Sequence, residues 1–290
     1  MTTRPDPSAA AAATTPLQDS ARFLARLAHE PAVLVQVHST QGSVPREAGA
    51  WMAVFADGFI GTIGGGNLEY EALAEARVRL RADAQARRAA DDATVRVPLG
   101  PSLGQCCGGV VFLQFRLVGA PDGPRLRDEL ASARWPVALF GGGHVGHALA
   151  GVLCRLPVDL RWIDSRDGVF PQTVPAGVTC EHSEPVQAAV RDLPAGARVI
   201  IMSFSHAEDL DIVAACLQRQ RSAGDLPFIG LIGSQTKWAT FRHRLEARGF
   251  TPAELARVTC PIGVPGIRGK EPDVIAVAVA AQLLQSVYAG

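Results

Sequence analysis

Long apolar runs are missing from this 290-residue chain. The longest, Val274 to Leu284, is broken by Gln282 and falls short of the roughly 20 residues a bilayer requires, so no membrane helix is expected. Net charge is missing too. Lys+Arg and Asp+Glu both number 28, which leaves no global field to draw in nucleic acid or an anionic membrane. Cysteine is sparse: six residues, at 106, 107, 154, 180, 216 and 260, lack the density of a disulfide framework and the second pair of a zinc site. Residues 1–17 begin Ala/Thr-rich and lack the bulky apolar centre of a signal peptide. A disordered tail and a reducing cytoplasm are the expectations. Tyrosine occurs only at Tyr70 and Tyr288, and lysine only at Lys237 and Lys270. A Tyr-x-x-x-Lys proton relay is therefore absent.

What remains is the composition of a globular protein, 48% hydrophobic and 19% charged, long enough for about two domains. The strongest stretch is Val137 to Leu149. Four apolar residues, Val137 to Phe140, read as a buried strand. Gly141, Gly143 and Gly146 follow at G-x-G-x-x-G spacing, and an apolar helical face (Val145, Ala148, Leu149, Val152, Leu153) comes next. In that context the first glycine permits a tight turn, the second admits a phosphate and the third lets helix and strand pack. Leu160 to Ile163 form a second short strand ending in Asp164, where a ribose-binding acid falls in dinucleotide folds. The alternative is a sheet whose glycines serve packing alone.

Strands at Val178 to Glu181, Arg198 to Met202 and Phe228 to Ile232 alternate with helices. That predicts a Rossmann-like, doubly wound parallel sheet over 135–290. Ser205-His-Ala-Glu208 reads as a capping box that leaves His206 facing the crevice. Ser234 stands where a further helix begins and adds phosphate-directed amides.

The first half predicts a smaller α/β domain over 18–118, joined by a linker over 119–134. Gln18 to His29 is a helix, and Pro31 to Val37 a central strand. The strand opens into a polar loop, His38 to Gly49, which holds Ser43 and Arg46 and reads equally as ligand loop or surface hairpin. Two strands at 51–55 and 59–63 flank the hairpin signal Ala56-Asp57-Gly58. Gly64, Gly65 and Gly66 lead into Asn67, an N-cap candidate, and a helix with Glu69 in its first turn. This is a second anion cradle, in which Glu69 also suits the helix dipole. The helix ends in an Arg/Ala-rich stretch, Arg77 to Arg88, and a strand follows at Val95 to Leu99. Cys106 and Cys107 lie between glycines, where backbone and ligand approach closely. Extended neighbours point to opposite sides, so one of the pair is expected to face a ligand, where a soft thiolate would suit a soft metal, and the other to pack inward. Glycine turns in both halves predict a ligand cleft between the domains.

Seven segments carry a resemblance. They are Gly42-Ser-Val-Pro-Arg46, Gly61-Thr-Ile-Gly-Gly-Gly-Asn-Leu-Glu69, Gly104-Gln-Cys-Cys-Gly-Gly109, Phe140-Gly-Gly-Gly-His-Val-Gly146, Ile229-Gly-Leu-Ile-Gly-Ser234, Cys260-Pro-Ile-Gly263 and Lys270-Glu-Pro272. In order, they resemble the xanthine dehydrogenase accessory proteins, XdhC and its CoxI relatives. One departure is visible: the family's Thr-His-x-His is here Met202-Ser-Phe-Ser-His206, which keeps only the second histidine. The resemblance implies a non-enzymatic chaperone that binds molybdenum cofactor (a molybdopterin), protects it during sulfuration and delivers it to a xanthine dehydrogenase-like molybdenum hydroxylase apo-enzyme. It implies a cysteine desulfurase as second partner, and leaves a homodimer open. The rival reading is an NAD(P)-dependent oxidoreductase using the second domain.

Overall fold

The computed structural model describes residues 16–81, 94–100, 108–130, 134–175 and 177–288. They form two compact units that divide between Ser132 and Ala133.

The first unit is a five-stranded antiparallel sheet covered on both faces by helices. In chain order it comprises α1 (Pro16–Leu27), β1 (Ala32–Gln41), β2 (Trp51–Val54), β3 (Phe59–Gly61), α2 (Gly66–Arg81), β4 (Thr94–Pro98), β5 (Val110–Val118) and α3 (Gly123–Glu129). The sheet order is β3-β2-β1-β5-β4, which makes β1 the middle strand. Its apolar run, Ala32 to Val35, follows from burial on both sides. Val33, Val35 and Val37 face α2 through Leu68, Ala72 and Ala76, whereas Ala32 and Leu34 face Phe23 and Leu27 of α1. Burying one such large side chain is worth about 1.5–3 kcal/mol.

Sequence and structure differ here in four places. β1 runs on to Gln41 instead of yielding to a loop at His38, because pairing with β5 resumes after a register shift at Val37/Ser39 and continues to Gln41 opposite Val110. α2 starts at Gly66, which puts Asn67 in its first turn and not at the N-cap. β3 ends at Gly61, where φ turns positive, so Thr62 and Ile63 leave the expected strand. The expected linker belongs, up to Leu130, to the first unit: Leu126 and Leu130 are buried in the same cluster as Phe23 and Phe55. The Arg/Ala-rich stretch beyond Arg81 lies outside the described residues.

The second unit holds β6 (Trp135–Phe140), α4 (His144–Leu153), β7 (Val158–Asp164), β8 (Val178–His182), β9 (Arg198–Ile201), α5 (His206–Ser222), β10 (Phe228–Leu231), α6 (Gln235–Ala247), α7 (Pro252–Leu255), β11 (Val258–Thr259) and α8 (Pro272–Tyr288). The six strands are all parallel, in the order β11-β10-β9-β6-β7-β8. One face packs on α5, α6 and α7, and the other on α4 and α8. The pattern of strands alternating with helices anticipates this doubly wound sheet. Only β11, two residues long, left no mark in the hydrophobic pattern.

Read from β6 outward, the strand order reverses between β6 and β9. That reversal is a topological switch point, and in open α/β sheets ligands bind outside the carboxyl ends of the strands there. Among the described residues no helix is long and apolar enough to cross a membrane.

Candidate functional site

The switch point gathers Gly141, Gly143, Gly146, Asp164 and His206. Gly141 leaves β6 at φ +125°, and a side chain there would run into the carbonyl of Met202 at the end of β9. Gly146 is equally closed, its Cβ direction blocked by the Gly141 carbonyl, which also accepts a 2.9 Å hydrogen bond from Trp162 Nε1. These two glycines serve packing. Gly143 is different. It is exposed, sits at the N-cap of α4 with φ −81°, and has nothing within 4 Å of its Cβ direction.

No side chain caps α4. The three helices that follow it are capped: Ser205 accepts from the Glu208 amide at α5, Ser234 from Lys237 at α6, and Thr251 from Glu254 at α7. Amides left bare at the start of α4 suit an anion. Gly143→Ala should therefore leave the melting temperature within a few degrees of the parent while weakening any phosphate held at this turn. Calorimetric melting together with cofactor loading checks both halves.

Asp164 is 2% exposed and already fully engaged. Its Oδ2 accepts from the Gly142 amide at 2.5 Å and from Arg166 Nη2 at 2.9 Å; its Oδ1 accepts from the Arg166 amide and Nε, both at 2.9 Å. Burial opposes its ionisation. The hydrogen bonds from Arg166 and Gly142 outweigh that and hold the carboxyl below the usual range. Arg166 in turn lies with its guanidinium carbon 4.7 Å from the ring centroid of Phe204, an aromatic that is 65% exposed. His206, at the start of α5, is exposed and stands edge-on to Phe241.

The expected capping box at Ser205 is half made. Ser205 caps the helix, but Glu208 accepts from Ser165 Oγ at 2.6 Å, tying the β7 turn to α5. Ser234 is an ordinary N-cap beside Lys237.

Sequence reasoning missed the centre beneath these loops. Asp209 is buried and paired at 2.6 Å with Lys237 Nζ, which also donates to the Ile232 carbonyl at 2.8 Å. The other Asp209 oxygen accepts from the Ser203 amide at 2.8 Å and its Oγ at 2.7 Å. The pair thus pins both the β9–α5 and the β10–α6 loops. The available signal was lysine itself, kept at 237 in a chain whose other basic residues, Lys270 apart, are arginine. Cys260 is partly buried nearby. Burial pushes its thiol up to about 11, so it is a thiol at neutral pH.

In the first unit, three expected segments converge. Pro45 and Arg46 cover Gly64, where φ is +127° and a Cβ would come within 2.7 Å of Pro45. Ser43 is exposed, and its carbonyl accepts from the Gly109 amide at 3.1 Å. The glycine cradle is already filled. Glu69 Oε2 accepts from Thr62 Oγ1 at 2.5 Å and from the amides of Ile63 and Gly65, each at 3.2 Å, while the Gly64 amide donates to Thr62 Oγ1. An anion arriving at Gly64, Gly65 or Gly66 would have to displace Glu69. Glu69→Gln should cost about 1 kcal/mol and speed hydrogen exchange at Ile63 and Gly65. Unchanged exchange there would show that the carboxylate does not hold the turn. Cys106 and Cys107 lie outside the described residues. Among those described, no three His, Cys, Asp or Glu side chains gather as they would around a metal ion.

Six parallel strands in this order, with a glycine turn at the reversal, define a Rossmann domain protein whose other unit is antiparallel α/β. The chain belongs to the XdhC family. The family model of the XdhC Rossmann domain matches residues 137–283, and that of the XdhC and CoxI family matches residues 25–91. Escherichia coli K12 YqeB is 29% identical over 264 residues, covering 88% of this chain and 43% of YqeB. The chain thus spans less than half the length of that relative. A crystal structure from Bacillus halodurans, described as a xanthine dehydrogenase, shares the fold at 17% identity with a TM-score of 0.75, covering 95% of this chain and 96% of that one.

Proposed function

We propose that this chain is a cytoplasmic accessory protein that binds molybdenum cofactor, shields it during sulfuration and passes it to a xanthine dehydrogenase-like hydroxylase. Family membership supports the accessory role. The observation that carries cofactor binding is the bare start of α4 at the switch point, open at Gly143 and flanked by Arg166 and Phe204. Those groups fit a phosphorylated pterin: amides for the phosphate and an exposed ring for the flat heterocycle.

When bound, the cofactor supplies metal and dithiolene chemistry for the recipient enzyme. This chain's residues hold and orient it. The Asp209–Lys237 pair keeps the loops bearing Phe204 and Ser234 in place, and Asp164 fixes the Gly142 amide so that the turn keeps its shape. Soft contact to the metal is assigned to one of Cys106 and Cys107, and sulfuration to a cysteine desulfurase partner.

The experiment is mass analysis of small molecules extracted from protein made in cells with an intact molybdenum cofactor pathway, followed by transfer to an apo-hydroxylase. A pterin–molybdenum species and restored hydroxylase activity are expected. Extraction of a nicotinamide dinucleotide instead would overturn the reading.

A further inference from the structure

The acid expected to bind ribose has no acceptor left to offer. A carboxylate presents about four lone-pair directions. At Asp164 all four are taken: two by Arg166 on Oδ1, and one each by Arg166 and Gly142 on Oδ2. Three of the four bonds come from the residue two places on, in a chelate of backbone amide, Nε and Nη2. Charge-assisted bidentate pairs are the strong ones, and a neutral hydroxyl competes poorly with them in a buried site. Ser165 holds the same turn from the other side through Glu208.

Arg166 is not itself buried: its side chain is 35% exposed, and among the described residues its Nη1 meets no acceptor. Its guanidinium lies over the ring of Phe204. The loop carrying Phe204 is fixed one residue earlier, where both the amide and the hydroxyl of Ser203 donate to Asp209. An exposed phenyl ring on an anchored loop, backed by a guanidinium, is a stacking platform.

We propose that Arg166 sets the selectivity of this crevice: it closes Asp164 to the ribose of a nicotinamide dinucleotide and, with Phe204, leaves a platform for a flat phosphorylated heterocycle. This rests on the cofactor-binding reading above and narrows it to ligands that do not present a ribose diol to Asp164. The glycine turn of a dinucleotide fold is retained, and the recognition of the dinucleotide is cancelled two residues past the acid.

The test titrates the full-length protein with NAD+ by calorimetry, and with the fluorescent oxidised pterin phosphate derived from molybdopterin by anisotropy. The parent should show no NAD+ binding in the micromolar range. Arg166→Gln, which frees acceptor sites on Asp164, should tighten NAD+ by about tenfold or more, in keeping with hydrogen bonds to a charged acceptor. The gain should vanish in Asp164→Asn/Arg166→Gln. Arg166→Lys keeps the charge without the fork and provides a milder variant, expected between parent and Arg166→Gln. Phe204→Ala, at an exposed side chain, should weaken the pterin phosphate about tenfold, the worth of one base–aromatic stack. Micromolar NAD+ binding by the parent overturns the proposal, as does a folded Arg166→Gln that gains nothing. If the parent binds neither the pterin phosphate nor cofactor in cells, the cofactor reading fails, while the NAD+ titrations still decide the role of Arg166.

Discussion

Lys237→Met should cost the second unit about 3–5 kcal/mol, the usual consequence of removing one partner from a buried ion pair. Asp209 is 2% exposed and would be left with Ser203 as its one remaining partner among the described residues. The Ile232 carbonyl would lose its donor as well. Reversing the damage is the sharper test. Removing both charges, as Asp209→Leu/Lys237→Met, leaves no stranded carboxylate, and replacing a buried pair by apolar groups is often neutral or better. Urea unfolding should therefore place the double variant nearer to the parent than to Lys237→Met. A single variant within about 1 kcal/mol of the parent would show that the pair is not desolvated as its burial indicates.

The second large effect is at Gly141. Alanine there must adopt φ near +125° while its methyl meets the Met202 carbonyl. Conformational strain of about 1–3 kcal/mol adds to a steric term of similar size, so a loss of about 3 kcal/mol or more is expected. Relief requires parting β6 from β9 at their carboxyl ends, the place where the Met202 amide donates to the Phe140 carbonyl at 2.8 Å. Two residues further on, Gly143→Ala should be nearly silent in stability. Thermal melts of the pair separate a glycine held by packing from one left open for a ligand. Equal losses at both positions would mean the turn is uniformly packed and would remove the opening from the candidate site.

Much of this was legible because it rests on local pattern. The glycine turn after Val137 to Phe140 declares strand, turn and helix together, and the alternation that follows allows few arrangements other than a doubly wound sheet. The apolar run of β1 announced a middle strand. The site was less legible because its decisive contacts join residues that no periodicity links. Asp164 stood where a ribose acid stands, yet nothing in Asp164-Ser-Arg166 announces that the arginine folds back on the acid. Lys237 reaches Asp209 from another helix. Glu69 was correctly placed in the first turn of α2, but its reach to the amides of Ile63 and Gly65 depends on how Gly64 and Gly65 bend. β1 outran its apolar residues because β5 supplies partners for the polar neighbours of His38, from Ser39 to Gln41.

Gly109 sits so close to residues 41–44 that neither segment is free to drift without the other. A Cβ at position 109 would press on the carbonyls of Gln41 and Ser43 and come within 2.9 Å of Val44. Gly42, at φ +72°, closes the same junction from the other side, its Cβ direction 3.3 Å from Gly109. In a saturation library the two segments should behave as one locus: substitutions at Gly109 survive only in company with changes at 41–44.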